Sequence, residues 1–147
     1  MKFDDFSVGD RFSFGDYAVT RAEVIDFASR YDPQGFHLDD EIAAQSPIFG
    51  RLAASGWHTA SIGMRMTVDF WKENQVESMG SPGIDDLRWM RPVYPGDRLR
   101  SEVEVVAVTP SRSKPDRGAV RFRTTLLNQH DEPVMRHEAT VFIKRDV

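Results

Sequence analysis

One segment of the sequence constrains the fold more than any other: a stretch near residues 55–73 with apolar residues at helical spacing. A helix that is apolar around most of its circumference has to be largely enclosed by other elements. Because the remainder of the chain contains no second helix-rich layer, the sequence predicts that a sheet wraps around this helix. The apolar positions form two stripes, Trp57, Ala60, Met64, Val68 and Trp71, and Ile62, Met66 and Phe70.

The second half of the chain supplies most of the candidate strands. They alternate in polarity and are separated by turn residues, and the last two are joined by a turn short enough for an antiparallel hairpin. Together with an opening strand near the N-terminus, they predict an α+β fold in which an antiparallel sheet packs on one central helix. The predicted strands are residues 11–20, 84–93, 99–108, 119–128 and 133–144.

Between the opening strand and the central helix, the sequence predicts one helix and a long loop. Thr20 and Glu23 have the spacing of a capping box, and Pro33 ends the helix that follows them. A turn is expected at Gly15 within the opening strand. Residues 32–56 contain one further helical turn near 39–45, and they are too apolar to be a disordered segment. We expect a packed loop with a function, because loops of this length rarely serve as plain connections.

Composition narrows the classes of protein. The chain has 147 residues, which is the size of a single domain over residues 1–147, and it contains no cysteine. Thiol catalysis and cysteine-bound metals are therefore excluded. A net charge of −4 argues against a nucleic-acid partner. No apolar run approaches the roughly 20 residues that span a membrane, and we expect a cytoplasmic protein without a membrane partner.

Two residues in the loop have side chains suited to proton transfer. Asp32 and His37 lie five residues apart around a bend made by proline and glycine. A carboxylate and an imidazole that converge can take a proton from water and deliver one elsewhere. The alternative is that Asp32 only caps the loop and that His37 is a buried residue with satisfied hydrogen bonds.

The start of the central helix is the second candidate site. The first N–H groups of a helix lack internal partners and carry partial positive charge. With Gly56 at this position, an acyl oxygen can approach without meeting a side chain. The alternative is that Ser55 is an ordinary N-cap and that Gly56 serves close packing.

These residues stand in an order that resembles a known family, the MaoC-like dehydratases, which are (R)-specific enoyl-thioester hydratases with a hotdog fold. The family shows Asp-x-Asn-Pro-x-His, then Leu-Asp-x-x-x-Ala, then a central helix that begins near His-Gly-x-x-x-Ala-Ser. This chain departs from the pattern at Gln34, Gly35 and Ser55. The matching stretches are Asp32-Pro-Gln-Gly-Phe-His37, Leu38-Asp-Asp-Glu-Ile-Ala43, Ser55-Gly-Trp-His-Thr-Ala-Ser61 and Arg91-Pro-Val-Tyr-Pro-Gly-Asp97.

The resemblance implies a single hotdog domain that adds water reversibly to the C2=C3 bond of an enoyl thioester. It implies that Asp32 and His37 are catalytic, that Gly56 and Ser55 bind the thioester, and that Ser61 lines the pocket. For Ser61, a hydrogen bond to its own helix is an equally good account. The family needs no metal and no redox cofactor, since coenzyme A or a carrier protein is part of the substrate. Subunits of the family pair, so a homodimer or larger homo-oligomer is expected.

Two other functions remain open at this stage. A hotdog acyl-CoA thioesterase also uses a carboxylate and a helix start, and a non-catalytic subunit that binds acyl thioesters would tolerate the changes at Gln34 and Gly35. The basic residues of the 109–118 loop suit either coenzyme A phosphates or solvent. Arg65 and Asp69 are expected to pair on the helix surface. The four histidines lack the spacing of a metal site.

Overall fold

The computed structural model describes residues 1–147, and it confirms the α+β class and the single long helix packed on an antiparallel sheet. This is the hotdog arrangement. The five strands lie in the order β1-β3-β4-β5-β2, and every neighbouring pair is antiparallel. No helix is both long and apolar enough to cross a membrane. The elements are β1 (Arg11–Ala18), α1 (Arg21–Tyr31), α2 (Asp40–Ala44), α3 (Gly56–Glu73), β2 (Gly83–Trp89), β3 (Arg98–Pro110), β4 (Arg117–Leu127) and β5 (Pro133–Lys144).

Helix α3 lies against the sheet with one side fully buried. Ile62 and Met66 belong to the core, and Gly63 allows the helix backbone to approach Leu126 of β4 closely. A Cβ at position 63 would lie 3.0 Å from Leu126 Cδ1, which is tighter than ordinary contact. The close approach of helix and sheet is therefore built around the absence of a side chain at this position.

The opposite side of α3 is open, which corrects the prediction that the helix is enclosed. Trp57 and Met64, which were expected in the core, are 58% and 49% exposed. The reason is that five strands curl around only one side of the helix and leave β2 as an uncovered edge. Ile84 and Trp89 of β2 are also exposed, and the Trp57 and Trp89 rings meet at 5.1 Å. We call Trp57, Met64, Ile84 and Trp89 the open face.

Several local details differ from the predictions. Gly15 does not form a turn but a bulge in a continuous β1, with φ of 87°, and a Cβ there would collide with Met66. Thr20 caps α1 as predicted, by accepting the Glu23 N–H, but the Glu23 side chain bonds elsewhere. Strand β2 ends at Trp89, four residues earlier than predicted. The β4–β5 hairpin is confirmed.

The packing of Leu126 against α3 predicts a large effect of its truncation. Leu126 is fully buried, so Leu126→Ala removes apolar contacts and leaves a cavity. We expect the free energy of unfolding, measured by urea denaturation, to fall by about 2–5 kcal/mol. Val8→Ala, at a site 63% exposed, should change it by less than about 0.5 kcal/mol. Equal effects of the two substitutions would contradict the described core.

Candidate active site

Asp32 is placed by the end of helix α1. It is the C-cap residue, and its N–H donates to the Ala28 carbonyl at 2.9 Å. Pro33 then turns the chain away from the helix, because its ring disfavours helical geometry in the residue before it. A short 3₁₀ turn, Gly35–His37, brings the chain back, so that His37 Nε2 lies 3.4 Å from Asp32 Oδ2. The structure therefore brings together the two residues predicted to share proton transfer.

The orientation of the His37 ring is fixed by the backbone. Its Nδ1 lies 2.7 Å from the carbonyl oxygen of Ala53, and a carbonyl can only accept, so Nδ1 carries a proton. The ring is buried, with Phe36 and Phe49 packed on it at centroid distances of 4.6 and 5.4 Å. In the neutral ring Nε2 is then the unprotonated nitrogen, and it faces the Asp32 carboxylate. This nitrogen can accept a proton and return it.

Two donors hold the Asp32 carboxylate. Gln34 Nε2 donates to Oδ1 at 2.6 Å, and Ser55 Oγ donates to Oδ2 at 2.7 Å. Partial burial acts to raise the pKa of Asp32, but the two hydrogen bonds and the nearby His37 outweigh it, so this pKa lies below its usual range. Asp32 is therefore a carboxylate at neutral pH. Gln34, one of the departures from the family pattern, itself helps to hold the carboxylate.

The start of α3 lies beside this pair. Ser55 is the N-cap, and its Oγ accepts the Trp57 N–H at 3.3 Å while donating to Asp32. The Gly56 N–H has no hydrogen-bond acceptor within the chain. It is thus a free donor at the positive end of an 18-residue helix.

Gly56 also allows close packing, which the sequence left open as an alternative role. A Cβ at this position would lie 2.5 Å from Trp89 Cε2, and Trp89 Nε1 donates to the Gly56 carbonyl at 2.9 Å. The space beside the Gly56 Cα is therefore filled by an indole ring, and only the N–H side is available to a ligand. The lack of a side chain serves the contact with Trp89.

Ser61 does not join Asp32 and His37. It is exposed, and its Oγ donates to the Trp57 carbonyl of its own helix at 2.8 Å. It lines a separate groove together with Glu23 and His58. His58 is buried there with Nε2 3.1 Å from Glu23 Oε1. The structure therefore agrees with the alternative for Ser61, a hydrogen bond to its own helix.

Sequence reasoning did not find the partners of His58. Tyr17 OH donates to Glu23 Oε1 at 2.5 Å, so the Glu23 carboxylate joins strand β1 to helix α3. Burial, followed by the bond to Glu23, raises the pKa of Tyr17 to about 12. Tyr17 and Glu23 lie six residues apart, but His58 lies 35 residues from Glu23 and the three share no motif, so no signal in the sequence would have grouped them.

A mostly apolar cavity of about 390 Å³ runs along the open side of α3. It extends from Trp57, next to Gly56, to Trp71 near the end of the helix, and the sheet forms its other wall. Neither Asp32 nor His37 lines it. The cavity is assembled from strands and a helix distant in sequence, which is why periodicity alone did not reveal it.

Arg65 and the basic residues of the 109–118 loop lie away from this site or are paired with carboxylates. Arg65 Nε donates to both carboxylate oxygens of Asp69 at 3.1 Å, as the spacing predicted. Arg112 and Lys114 are exposed on the loop between β3 and β4, and Arg117 pairs with Asp116 at 2.9 Å. None of them contacts Asp32 or His37.

The hydrogen bond from Gln34 predicts a measurable change in the pKa of Asp32. Gln34→Ala removes a donor to the ionised carboxylate, so we expect this pKa, measured by carboxyl NMR titration, to rise relative to wild type. Ionised Asp32 stabilises the fold above its pKa in the unfolded chain, and this contribution is lost as pH falls through its lower folded pKa. In Gln34→Ala the folded pKa lies closer to the unfolded one, so this contribution should be smaller and its loss should be complete at a higher pH. Gln45→Ala, on the exposed end of α2, is the control, and an unchanged pKa in Gln34→Ala would refute the assignment.

Comparison with known proteins identifies a family and several similar structures. Residues 5–126 match the family model described as MaoC like domain. A MaoC-like dehydratase from Rhodospirillum rubrum superposes with a TM-score of 0.88 at 40% identity, covering 100% of this chain and 99% of that one. The (R)-hydratase from A. caviae involved in PHA biosynthesis superposes with a TM-score of 0.70 at 26% identity, over 92% and 96% of the chains.

A full-length relative in sequence is the uncharacterized protein YdeM of Bacillus subtilis (strain 168). It is 29% identical over 147 residues, which covers 99% of this chain and 100% of that protein. The family model covers most of the domain, including Asp32, His37, Ser55 and Gly56. This chain belongs to the MaoC-like domain family.

Proposed function

We propose that the protein is an (R)-specific enoyl-thioester hydratase, a hydro-lyase that adds water reversibly across the C2=C3 bond of an enoyl-CoA. In the reverse direction it is a 3-hydroxyacyl-CoA dehydratase. The observation that carries the proposal is the Asp32 carboxylate, held 3.4 Å from the proton-accepting Nε2 of His37 beside the free N–H of Gly56. Membership in the MaoC-like family and the similarity to an (R)-hydratase support it.

The groups have complementary roles in the reaction. The Gly56 N–H, at the positive end of α3, stabilises negative charge on the thioester oxygen as water adds to C3. Asp32, as the carboxylate, takes a proton from that water. His37 Nε2 relays a proton to C2, and the backbone bond from Nδ1 keeps Nε2 facing Asp32 throughout. One water is consumed, no net proton is released and no electrons are transferred, so the proposed reaction needs no redox cofactor, and these residues are proposed to carry it out without a metal.

The cavity along α3 suits the acyl chain of the substrate. Its volume of about 390 Å³ falls in the range of small-molecule pockets, and its walls are largely hydrophobic. Trp57, the residue that follows Gly56, lines the cavity, and we propose that the acyl chain extends into it from the Gly56 N–H. Coenzyme A or a carrier protein would remain outside.

A homodimer is the second part of the proposal. The open face places four large apolar side chains on the surface, and β2 leaves its backbone unpaired at one edge of the sheet. Uncovered apolar edges are association sites. Pairing of β2 with β2 of a second copy would cover both features and place the open end of the cavity at the subunit contact.

Replacement of the two proposed catalytic residues tests the reaction. Asp32→Asn and His37→Ala should each slow the loss of the conjugated double bond of enoyl-CoA substrates by about 10²–10⁴-fold, because each removes a proton-transfer group. Asp40→Asn is the matched control, since Asp40 is an exposed carboxylate paired with Arg21 at 2.7 Å. Its rate should equal that of wild type.

Other outcomes of the same assay separate the alternatives. Release of free thiol from acyl-CoA without hydration would identify a thioesterase. Saturable binding of acyl-CoA without turnover, across straight and branched chains, would identify a binding subunit. Wild-type rates in both Asp32→Asn and His37→Ala would show that the site is misassigned.

The dimer is tested by placing a charge on the edge strand. Ile84→Glu introduces a carboxylate at a residue that is 57% exposed on the open face, so burying this face becomes unfavourable. We expect wild type to be a dimer by light scattering and Ile84→Glu to be a monomer with unchanged circular dichroism. Val8→Glu, exposed outside the open face, should remain dimeric. A wild-type monomer would overturn this part of the proposal.

A further inference from the structure

The floor of the cavity along α3 carries a pair of polar residues that the proposed reaction does not use. Thr124 of β4 and His137 of β5 are direct cross-strand partners, and both line the cavity. The Thr124 hydroxyl makes no hydrogen bond within the chain. The His137 ring makes none either, and its Nδ1 is completely buried. Two adjacent side chains with hydrogen-bonding capacity therefore stand unpaired in a largely apolar wall.

The other hydroxyl groups of the same cavity are already bonded. Thr67 Oγ1 donates to the Gly63 carbonyl at 2.8 Å, and Ser81 Oγ donates to the Thr140 carbonyl at 2.6 Å. Their presence is explained by the protein's own structure. Among the hydroxyl and imidazole groups that line the cavity, those of Thr124 and His137 have no partner in the chain; the indole N–H groups of Trp57 and Trp71 are also unpaired but can only donate.

A bulge in β2 lies directly beside His137. Asp85 pairs with Glu138 and Arg88 pairs with Arg136, so two residues of β2, Asp86 and Leu87, lie opposite the single residue His137. Asp86 has φ of 54°, an unusual value for a residue other than glycine. The bulge interrupts the β2–β5 ladder beside the imidazole, and Leu87 turns into the cavity.

The chemistry of the pair indicates what it would bind. Buried polar groups without partners are rare in native proteins, and a bound molecule is one reason for their retention. Burial lowers the pKa of His137, so the ring is neutral near pH 7. Its Nδ1 is closed off by the protein, so Nε2 is the ring nitrogen left to a ligand, as a donor or an acceptor according to the tautomer. The Thr124 hydroxyl can do both. An uncharged oxygen group complements such a pair, whereas a carboxylate would enter an apolar cavity without a counter-charge.

We propose that Thr124 and His137 select enoyl thioesters whose acyl chain carries an uncharged oxygen substituent, such as a hydroxyl, over hydrocarbon chains of equal length. This inference rests on the proposed function, because it takes the cavity along α3 as the acyl site. The two residues act on specificity and take no part in proton transfer. A site built to hydrogen-bond a substrate hydroxyl discriminates strongly against the analogue that lacks it.

The test compares matched pairs of enoyl-CoA thioesters, one hydrocarbon and one with a hydroxyl at successive distal carbons. We expect kcat/KM of wild type to favour the hydroxylated member at least about tenfold at one hydroxyl position, which corresponds to one well-made hydrogen bond. Thr124→Val and His137→Leu should each reduce this ratio severalfold toward one. Thr67→Val changes a hydroxyl in the same cavity that is already bonded to Gly63, so its ratio should equal that of wild type.

Binding measurements separate failure of this inference from failure of the proposed function. Saturated acyl-CoA pairs, with and without the hydroxyl, are titrated calorimetrically into wild type and the three variants, whose folding is checked by thermal melting. If wild type hydrates no enoyl thioester, the proposed function is wrong, while the binding ratio still reports on the pair. Equal ratios in wild type, Thr124→Val and His137→Leu would overturn the inference. So would a preference of wild type for hydrocarbon or carboxylate chains.

Discussion

The hydrogen bond from Ser55 Oγ to Asp32 Oδ2, 2.7 Å long, is the contact on which the rest of the site depends. It joins the end of α1 to the start of α3, because Asp32 is the C-cap of one helix and Ser55 is the N-cap of the other. The same hydroxyl accepts the Trp57 N–H. The Ser55 side chain therefore caps the central helix, orients the Asp32 carboxylate and keeps it beside the free N–H of Gly56.

Much of the fold could be predicted from periodicity. The central helix was placed to within one residue because apolar spacing extends over its whole length and Ser55 is a strong N-cap. The hairpin of β4 and β5 followed from alternation and a short turn. The exposure of Trp57 and Met64 could not be predicted, because an apolar stripe has the same pattern whether it contacts a sheet, a ligand or another subunit.

The site could be predicted where its members are close in sequence. The Asp32–His37 pair lies within one loop, where the Pro33–Gly35 bend allowed convergence and the structure shows it. Gln34 departs from the family pattern, and the structure shows that its side-chain amide donates a hydrogen bond to the Asp32 carboxylate. The contact of His58 with Glu23 joins residues 35 apart, which a single sequence does not encode locally. Thr124 and His137 lie in the predicted hairpin, but their pairing depends on its register, which alternation alone does not fix.

The contact between Trp89 and Gly56 gives the protein a built-in optical reporter. The chain has three tryptophans, and all of them lie along one side of α3: Trp89 packs on Gly56, Trp57 follows it, and Trp71 closes the far end of the cavity. Because no tryptophan lies elsewhere, tryptophan fluorescence, excited selectively over that of the three tyrosines, arises only from this region. Emission from the unmodified protein therefore follows occupancy of the cavity and coverage of the sheet edge without any label.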